Sequence, residues 1–464
     1  MNLIVIMMDS LRQDHVGAYN RGVPLYEGIR ACETPNMDKL ARESIIFDNV
    51  YPEALPTIPV RTALMIGQRT LPNRPWQPLH ESDVTMAEIL SAEGYVCGLV
   101  SDTYHYRAPG MNFHRGFQSY HWIRGQEYDP YVSSPVERSL DDYVNEAFPE
   151  RWRALVGQFL ANTDGFKKAD DWFAPQVFRT AADWLRRNRN YEKIFLWIDS
   201  FDPHEPWDPP EQFDNYTDPN YSGARLVMPM GGPAESWASA DEVDHVRGLY
   251  AGEVAAVDHA LGELLEVLEE LGYYEDSMIL LIADHGHPLA DHGKFLKGPD
   301  RMYNELLKVP CMLRMPDLKG AGAHNEAVAQ FHDLLPTVFD YMGFTNVVHD
   351  MHGYTLRGVI EGDSDTARDS VIVGYYEGLD RCIRDGKWSL VARPEGEQDE
   401  LYDLKADPTE RNNLILEYPE EAERLRSEFG SIYFGRGGSV RSGRHAHDFR
   451  GVQGKYEVAS GVVG

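Results

Sequence analysis

Residues 3–9, Leu3-Ile4-Val5-Ile6-Met7-Met8-Asp9, are six consecutive apolar residues followed by an aspartate. A short apolar run without alternation is typical of a strand covered on both faces, as in a parallel sheet. Similar runs lie at 95–100, 193–198 and 277–283. Apolar spacing of three and four predicts helices at 171–188 and 241–272. The alternation predicts an α/β fold with a large mixed, mostly parallel sheet flanked by helices.

The pattern of the chain changes near residue 365. Short alternating runs separated by Asp-Gly and Pro-Glu-Gly turns predict a small antiparallel sheet. These runs lie at 370–374, 381–391 and 400–404. A helix is expected at about 418–429. We therefore expect a catalytic domain at 1–364, a C-terminal α+β subdomain at 365–434 and an extended tail containing Gly, Arg and Ser at 435–464.

The composition limits the classes of partner. The 464 residues include 44 basic and 74 acidic side chains, a formal net charge of −30, which disfavours binding to nucleic acid or to an anionic membrane. A small anionic substrate then needs positive charge supplied locally. The four cysteines are scattered, and the chain starts directly with a strand, so we expect a cytoplasmic protein with reduced thiols. A homo-oligomer is compatible with the sequence.

Acidic residues end three of the predicted strands: Asp9, Asp199 and Asp284. Ligands of open α/β sheets bind beyond the carboxyl ends of the strands. A single such acid would be explained as the cap of a following turn, whereas three on successive strands predict a site. With the imidazole of His285, Asp9 and Asp284 form a credible set of ligands for a divalent metal.

The segment Pro56-Thr57-Ile58-Pro59-Val60-Arg61 precedes an apolar stretch that is expected to be helical. Pro59 suits the first turn of that helix, so Thr57 should lie at its N-terminus, where free N–H groups and the helix dipole favour an anion. Arg61, one turn later, could contact the same anion or hold the threonine oxygen. On its own the pattern more often marks a simple helix cap.

Several motifs occur together and in one order along residues 3–414. They are Met8-Asp9-Ser10, Thr34-Pro35-Asn36-Met37-Asp38-Lys39-Leu40-Ala41, Thr57-x-Pro59-x-Arg61, Asp202-Pro203-His204-Glu205-Pro206, Asp284-His285-Gly286, Lys297-Gly298, Tyr303-Asn304-Glu305, Val309-Pro310 and 400–414. Their combination resembles the sulfatase family of the alkaline-phosphatase superfamily. The resemblance implies an alkaline-phosphatase-like fold and an ester hydrolase.

The resemblance also implies roles for single residues. Asp9, Asp284, His285 and Thr57 would bind one divalent metal ion, and Thr57 would be the nucleophile. Arg61 would orient Thr57. His204 and Lys297 would contact the transferred group or protonate the leaving oxygen. His105 is the one residue that carries over from the family's Lys-x-His motif, since this chain has Thr103-Tyr104-His105 there.

The identity of the metal follows from its ligands. Ser10 stands where the family has a second Asp, so the site is less anionic and richer in nitrogen than a calcium site, which favours Mn²⁺ or Zn²⁺ over Ca²⁺. A second metal would need an Asp-His-His set, for which the candidates are Asp199, Asp202, His204 and His352. We expect one metal, because Lys297 and Arg61 already supply positive charge.

Threonine at position 57 changes the expected chemistry. Sulfatases carry a Cys or Ser there that becomes formylglycine, and its hydrate expels sulfate by collapsing to the aldehyde. Thr57 cannot do so, and water must break its covalent ester, as in phosphoryl transfer. This favours hydrolysis of a phosphodiester or a phosphonate monoester. The alternatives are a sulfatase with an unmodified Thr57 and a non-catalytic binding protein.

Overall fold

The structure is a computed structural model that describes residues 1–107, 110–344 and 350–434. The chain divides into two compact units. The first comprises Met1–Asp48, Leu79–Lys297 and Val309–His324. The second comprises Asn49–Pro78, Gly298–Lys308 and the described residues from Asn325 onward. The domain division expected at residue 364 stays a prediction, and the expected tail at 435–464 lies outside the described residues.

The elements are numbered along the chain. The described strands are β1 (Asn2–Met8), β2 (Ser44–Tyr51), β3 (Ala54–Leu55), β4 (Val96–Ser101), β5 (Ser119–Trp122), β6 (Ile194–Ser200), β7 (Gly232–Pro233), β8 (Ser277–Ala283), β9 (Lys294–Phe295), β10 (Cys311–Arg314), β11 (His324–Gln330), β12 (Val371–Tyr375), β13 (Arg381–Arg384), β14 (Trp388–Ala392) and β15 (Glu400–Asp403). The α-helices are α1 (Gly17–Asn20), α2 (Pro35–Arg42), α3 (Thr57–Ile66), α4 (Met86–Ala92), α5 (Glu150–Thr163), α6 (Phe173–Asn188), α7 (Ala240–Glu270), α8 (Tyr273–Asp276), α9 (Asn304–Leu307), α10 (Phe331–Tyr341), α11 (Arg357–Glu361) and α12 (Pro419–Phe434). Short 3-10 helices lie at Gln13–His15, Tyr104–Tyr106, Leu140–Asp142, Ala169–Asp171, Glu211–Phe213 and Ala234–Ser236.

The first unit is built on a twisted sheet whose strands follow the order β2-β10-β8-β1-β6-β4-β5. The central strands are parallel, and β10 runs antiparallel between β8 and β2. Strand β1 is wholly buried, as its apolar run predicts. The expected mixed, mostly parallel sheet is therefore confirmed.

Helices cover the sheet of the first unit. Helix α6 packs on β4 and β6 and against the long helix α7. The approach of α6 to β4 depends on Gly98, because a Cβ at that position would lie 2.4 Å from the indole of Trp184. Helix α7 begins with a capping box in which Ser239 and Glu242 satisfy each other's backbone N–H groups. None of the described helices combines the length and apolarity needed to cross a membrane.

The register of the sheet decides where the strand-end acids lie. Met8 of β1 pairs with Ala283 of β8 and with Ser200 of β6. Asp9 and Asp284 therefore leave the sheet at the same level. Strand β6 continues to Ser200, so Asp199 pairs with Met7 and lies inside the sheet. Of the three acids expected at one edge of the sheet, Asp9 and Asp284 lie at that edge, whereas Asp199 lies inside the sheet.

The second unit contains the small sheet, in the order β15-β14-β13-β12-β3. Four strands form the antiparallel meander expected from the C-terminal sequence. Strand β3 adds to it in parallel beside β12, which local sequence did not predict. Helix α12 packs on β13 and β14. The core formed there consists of Ile372, Ile383, Trp388, Leu390, Leu401, Ala422, Leu425 and Phe429.

A buried ion pair stabilises the second unit. The guanidinium of Arg384 lies 2.7 Å from the carboxylate of Glu410, and both side chains are fully buried. Glu410→Gln would leave the guanidinium without its compensating charge, and we expect it to lower the free energy of unfolding by about 3 kcal/mol. Urea titration measures the change. As a control, Glu421→Gln removes an exposed partner of Arg424 and should cost under about 1 kcal/mol. Equal effects would contradict the assignment.

Candidate active site

The strand ends of the first unit bring together Asp9, Asp284 and His285. All three residues are fully buried, and one potential ligand atom from each lies within 4.8 Å of the others. Nε2 of His285 is 3.4 Å from Oδ2 of Asp284 and 3.9 Å from Oδ1 of Asp9. Sequence reasoning predicted this grouping, and the parallel register of β1 and β8 explains it.

The tautomer of His285 suits a metal ligand. Its Nδ1 lies 2.8 Å from the carbonyl oxygen of Gly286, so Nδ1–H donates to that carbonyl and the lone pair is on Nε2. This lone pair faces two carboxylates in a buried setting, where like charges repel strongly. A divalent cation between them would remove the repulsion. The donor set of one nitrogen and carboxylate oxygens therefore fits a metal such as Mn²⁺ or Zn²⁺.

Ser10 holds the two carboxylates instead of adding a third. Its hydroxyl donates to Oδ1 of Asp9 at 2.9 Å, and its backbone N–H donates to Oδ1 of Asp284 at 3.0 Å. The residue has a φ of 62°, a left-handed conformation that non-glycine residues rarely adopt and that is often found at functional sites. The backbone N–H of His285 also donates to Oδ1 of Asp284, at 2.7 Å. Each carboxylate is thereby oriented before any ion binds.

Asp199 does not join this group. Its carboxylate accepts hydrogen bonds from the hydroxyl of Thr103 at 3.0 Å and from that of Tyr106 at 2.7 Å. Asp202 is held in a similar way by the side-chain amide of Gln126 at 2.5 Å. His352 belongs to the second unit and accepts from the backbone N–H of Arg69 at 3.1 Å. Of the four candidates for a second metal, Asp199, Asp202 and His352 belong to no ligand cluster among the described residues, whereas His204 groups with His105 and Glu127.

A second polar group in the first unit is centred on His204 and Lys297. Nζ of Lys297 lies 2.8 Å from Nε2 of His204 and donates to both carboxylate oxygens of Glu205, at 3.0 and 2.8 Å. Nδ1 of His204 donates to the backbone carbonyl of Glu205 at 2.6 Å. Burial, and then the charge of Lys297, hold the pKa of His204 well below its usual value. His204 is therefore a neutral imidazole whose Nε2 accepts from the ammonium.

His105 lies beside this pair. Its ring centroid is 6.2 Å from that of His204 and 5.5 Å from the ring of Phe201. Its Nε2 is 3.7 Å from Oε2 of Glu127. The structure thus brings together His105, His204 and Lys297, which sequence reasoning had connected only through the resemblance.

Sequence reasoning gave no role to Glu127, Glu205 or His287. The carboxylate of Glu205 lies 3.4 Å from Nδ1 of His287, a fully buried histidine. Burial, and then the charge of Glu205, raise the pKa of Glu127 to about 8. Glu127 follows β5, a strand of four half-buried residues, whose weak pattern concealed that it too ends at this edge of the sheet. The one sequence signal for this strand end was the segment that follows it, Arg124-Gly125-Gln126-Glu127, with three polar residues.

Thr57 and Arg61 lie in the second unit. Thr57 is the first residue of α3, after Pro56 at the cap position, and Pro59 lies in the first turn, as predicted. All ten residues of α3 are buried. The guanidinium of Arg61 donates to the backbone carbonyl of Thr57 at 3.4 Å. The helix therefore places a buried hydroxyl at its positive end beside a buried cation. The catalytic roles of Thr57 and Arg61 stay predictions.

Comparisons with known proteins agree with these observations. A family model described as Sulfatase matches residues 1–344, and one described as N-sulphoglucosamine sulphohydrolase, C-terminal, matches 290–429. The chain is 26% identical to an arylsulfatase of Clostridium perfringens, with 92% of each chain covered. It is 23% identical to a multifunctional alkaline phosphatase superfamily protein of Trinickia caryophylli over 74% of each chain. The phosphonate monoester hydrolase of Agrobacterium radiobacter has the same fold, with a TM-score of 0.70 and 20% identity over 93% of this chain and 95% of that one.

Proposed function

The chain belongs to the sulfatase family and is an ester hydrolase, and from this premise we propose that it cleaves phosphodiesters or phosphonate monoesters through a covalent intermediate on Thr57. One observation carries the proposal: residue 57 is a threonine, in the position where the family signature has the residue that becomes formylglycine. The family and its hydrolase relatives argue against the alternative of a non-catalytic binding protein.

The argument from Thr57 concerns the second half of the reaction. A threonine ester has no second hydroxyl that could expel the transferred group, so water must attack the central atom in line with the Thr57 oxygen. Such a displacement at phosphorus is common among phosphoryl enzymes, given sufficient electrostatic help. A threonine sulfate would accumulate instead. The phosphonate monoester hydrolase that shares the fold acts, according to its name, on the proposed class of substrate.

The candidate residues have separate tasks in this proposal. Asp9, Asp284 and His285 would hold one divalent ion, which polarises a phosphoryl oxygen and stabilises the nucleophile when bound. Lys297 and His204 would contact the oxygens of the transferred group. Since Glu205 already neutralises Lys297, this contact is weaker than that of an unpaired lysine, which suits a monoanionic diester better than a dianion. Arg61 would fix the position of Thr57.

A second candidate function is sulfate ester hydrolysis with an unmodified Thr57. The observation that favours it is the likeness to an arylsulfatase over 92% of each chain. The two candidates share a fold, a metal set and a nucleophile, so they differ only in the atom attacked. Turnover of matched substrates is therefore the decisive measurement.

The test uses three substrates with one leaving group: bis-4-nitrophenyl phosphate, 4-nitrophenyl phenylphosphonate and 4-nitrophenyl sulfate. With Mn²⁺ present, we expect kcat/KM for the better phosphorus ester to exceed that for the sulfate by at least about 100-fold, a difference of about 2.7 kcal/mol in the barrier. The sulfate should release at most one equivalent of nitrophenol per chain and then stop. Sustained turnover of the sulfate at the higher rate would replace the proposal by its alternative.

A further inference from the structure

Glu127 is a buried carboxyl group that the proposed function leaves without a task. Only 5% of the residue is exposed, and Oε2 accepts no hydrogen bond from the described part of the chain. Its φ of 54° is a conformation that costs energy for any residue with a side chain. A buried polar atom without a hydrogen bond in a strained backbone is a combination often found at functional sites.

The surroundings of Glu127 connect it to the site. Its Oε2 lies 3.7 Å from Nε2 of His105, and its carboxylate is within 4.8 Å of a ring nitrogen of His204. The charged side chains that face it are those of Glu205, Lys297 and Arg107. Glu127 therefore belongs to the group that would surround the leaving oxygen.

In that group, the N–H donors of His204 and Lys297 are already engaged in hydrogen bonds. A leaving alkoxide needs a proton as its bond to phosphorus breaks. His204 is neutral, and its Nδ1–H is engaged by the carbonyl of Glu205. Lys297 donates to His204 and to both oxygens of Glu205. His105 is the more exposed member of its pair with Glu127, at 15% against 7% for the side chains, so it is the more accessible of the two.

We propose that Glu127 supplies the proton of the leaving group through His105, an inference that rests on the proposed function. As the alkoxide of Thr57 forms its bond to phosphorus, the bond from phosphorus to the leaving oxygen breaks. That oxygen takes the proton on Nδ1 of His105, and Nε2 of His105 takes the carboxyl proton of Glu127. When water then displaces Thr57, the proton lost by the water returns through His105 to Glu127. One water molecule is consumed, and the chain is restored.

The pH dependence follows from the direction of the shift. Because burial and Glu205 raise the pKa of Glu127 to about 8, the carboxyl group carries its proton at neutral pH and loses it as the pH rises. The donor is therefore present below about pH 8 and absent above it. The rate with a poor leaving group should fall along that alkaline limb.

The test is a series of aryl phosphodiesters whose leaving groups range from 2,4-dinitrophenol, which needs no proton, to phenol, which does. Glu127→Gln should lower kcat/KM by about 100-fold for phenol and by less than about 3-fold for 2,4-dinitrophenol. His105→Gln should give the same pattern. The alkaline limb seen with phenol should disappear in Glu127→Gln. A residue with only a structural role would change all leaving groups alike.

Glu253→Gln is the matched control, because Glu253 is also a buried glutamate whose Oε2 accepts no hydrogen bond from the described residues. It should leave the dependence on the leaving group unchanged. A uniform loss of rate in Glu127→Gln would overturn the inference, as would two bound metal ions per chain in the wild type that fall to one in the variant. If the wild type hydrolyses none of the phosphodiesters, the proposed function fails instead.

Discussion

Replacing Thr57 with alanine is expected to lower kcat for the best phosphorus ester by at least about 10⁴-fold, since the covalent route is lost and only binding and electrostatic stabilisation remain. Thr57 is the first residue of α3 and is 1% exposed, so shortening its side chain leaves a small cavity and little structural change. The metal content should stay at one ion per chain in this variant. Steady-state kinetics and elemental analysis of the same preparation measure both quantities.

Thr57→Ser serves as the control for this experiment. It keeps the oxygen and loses one methyl group, so it should retain activity within about 100-fold of the wild type. A quench during turnover of the wild type should show the mass of the transferred group on the peptide that contains Thr57, and the alanine variant should lack it. If Thr57→Ala keeps most of its rate, another residue is the nucleophile, and the argument for phosphorus over sulfur loses its basis.

Most of the fold could be predicted from local sequence because its strands are apolar on both faces. The runs at 3–8 and 277–283 agree with β1 and β8 within one residue. Strand β3 could not be found in this way, since Ala54–Leu55 is two residues long and its pairing with β12 joins segments more than 300 residues apart. Register with a distant strand is a property of the tertiary structure.

The candidate site was predictable where a carboxylate directly follows a strand. Asp9 and Asp284 satisfy that rule, and the parallel register makes them neighbours. Asp199 does not follow its strand, because β6 continues one residue further, to Ser200. Its carboxylate accepts hydrogen bonds from two hydroxyl groups instead. Glu127 was missed because the strand that precedes it, β5, is too short and too polar to recognise from sequence. The ends of strands depend on hydrogen bonding between strands, which local sequence encodes weakly.

The second large effect concerns the proposed metal ligands, and Asp284→Asn is the most informative change. Asparagine keeps the oxygen that accepts from Ser10 and His285, but it replaces one charged ligand oxygen with an amide. We expect loss of tightly bound metal and a fall in kcat/KM of at least about 10³-fold. Adding Mn²⁺ at 100 times its Kd should stabilise the wild type by about 2.7 kcal/mol and the variant hardly at all. Thermal unfolding with and without the ion measures this difference.

Without the metal, Asp284→Asn is not expected to lower the stability of the protein. In the chelated wild type, the buried carboxylates of Asp9 and Asp284 face each other and the lone pair of His285, and neutralising one of them relieves that repulsion. Chelated Asp284→Asn should therefore be at least as stable as the chelated wild type. Asp199→Asn is the control: it alters a buried strand acid that accepts from Thr103 and Tyr106, so it should lower stability yet keep the response to Mn²⁺. If Asp199→Asn abolished that response while Asp284→Asn kept it, the metal would lie deeper in the sheet, beside β6.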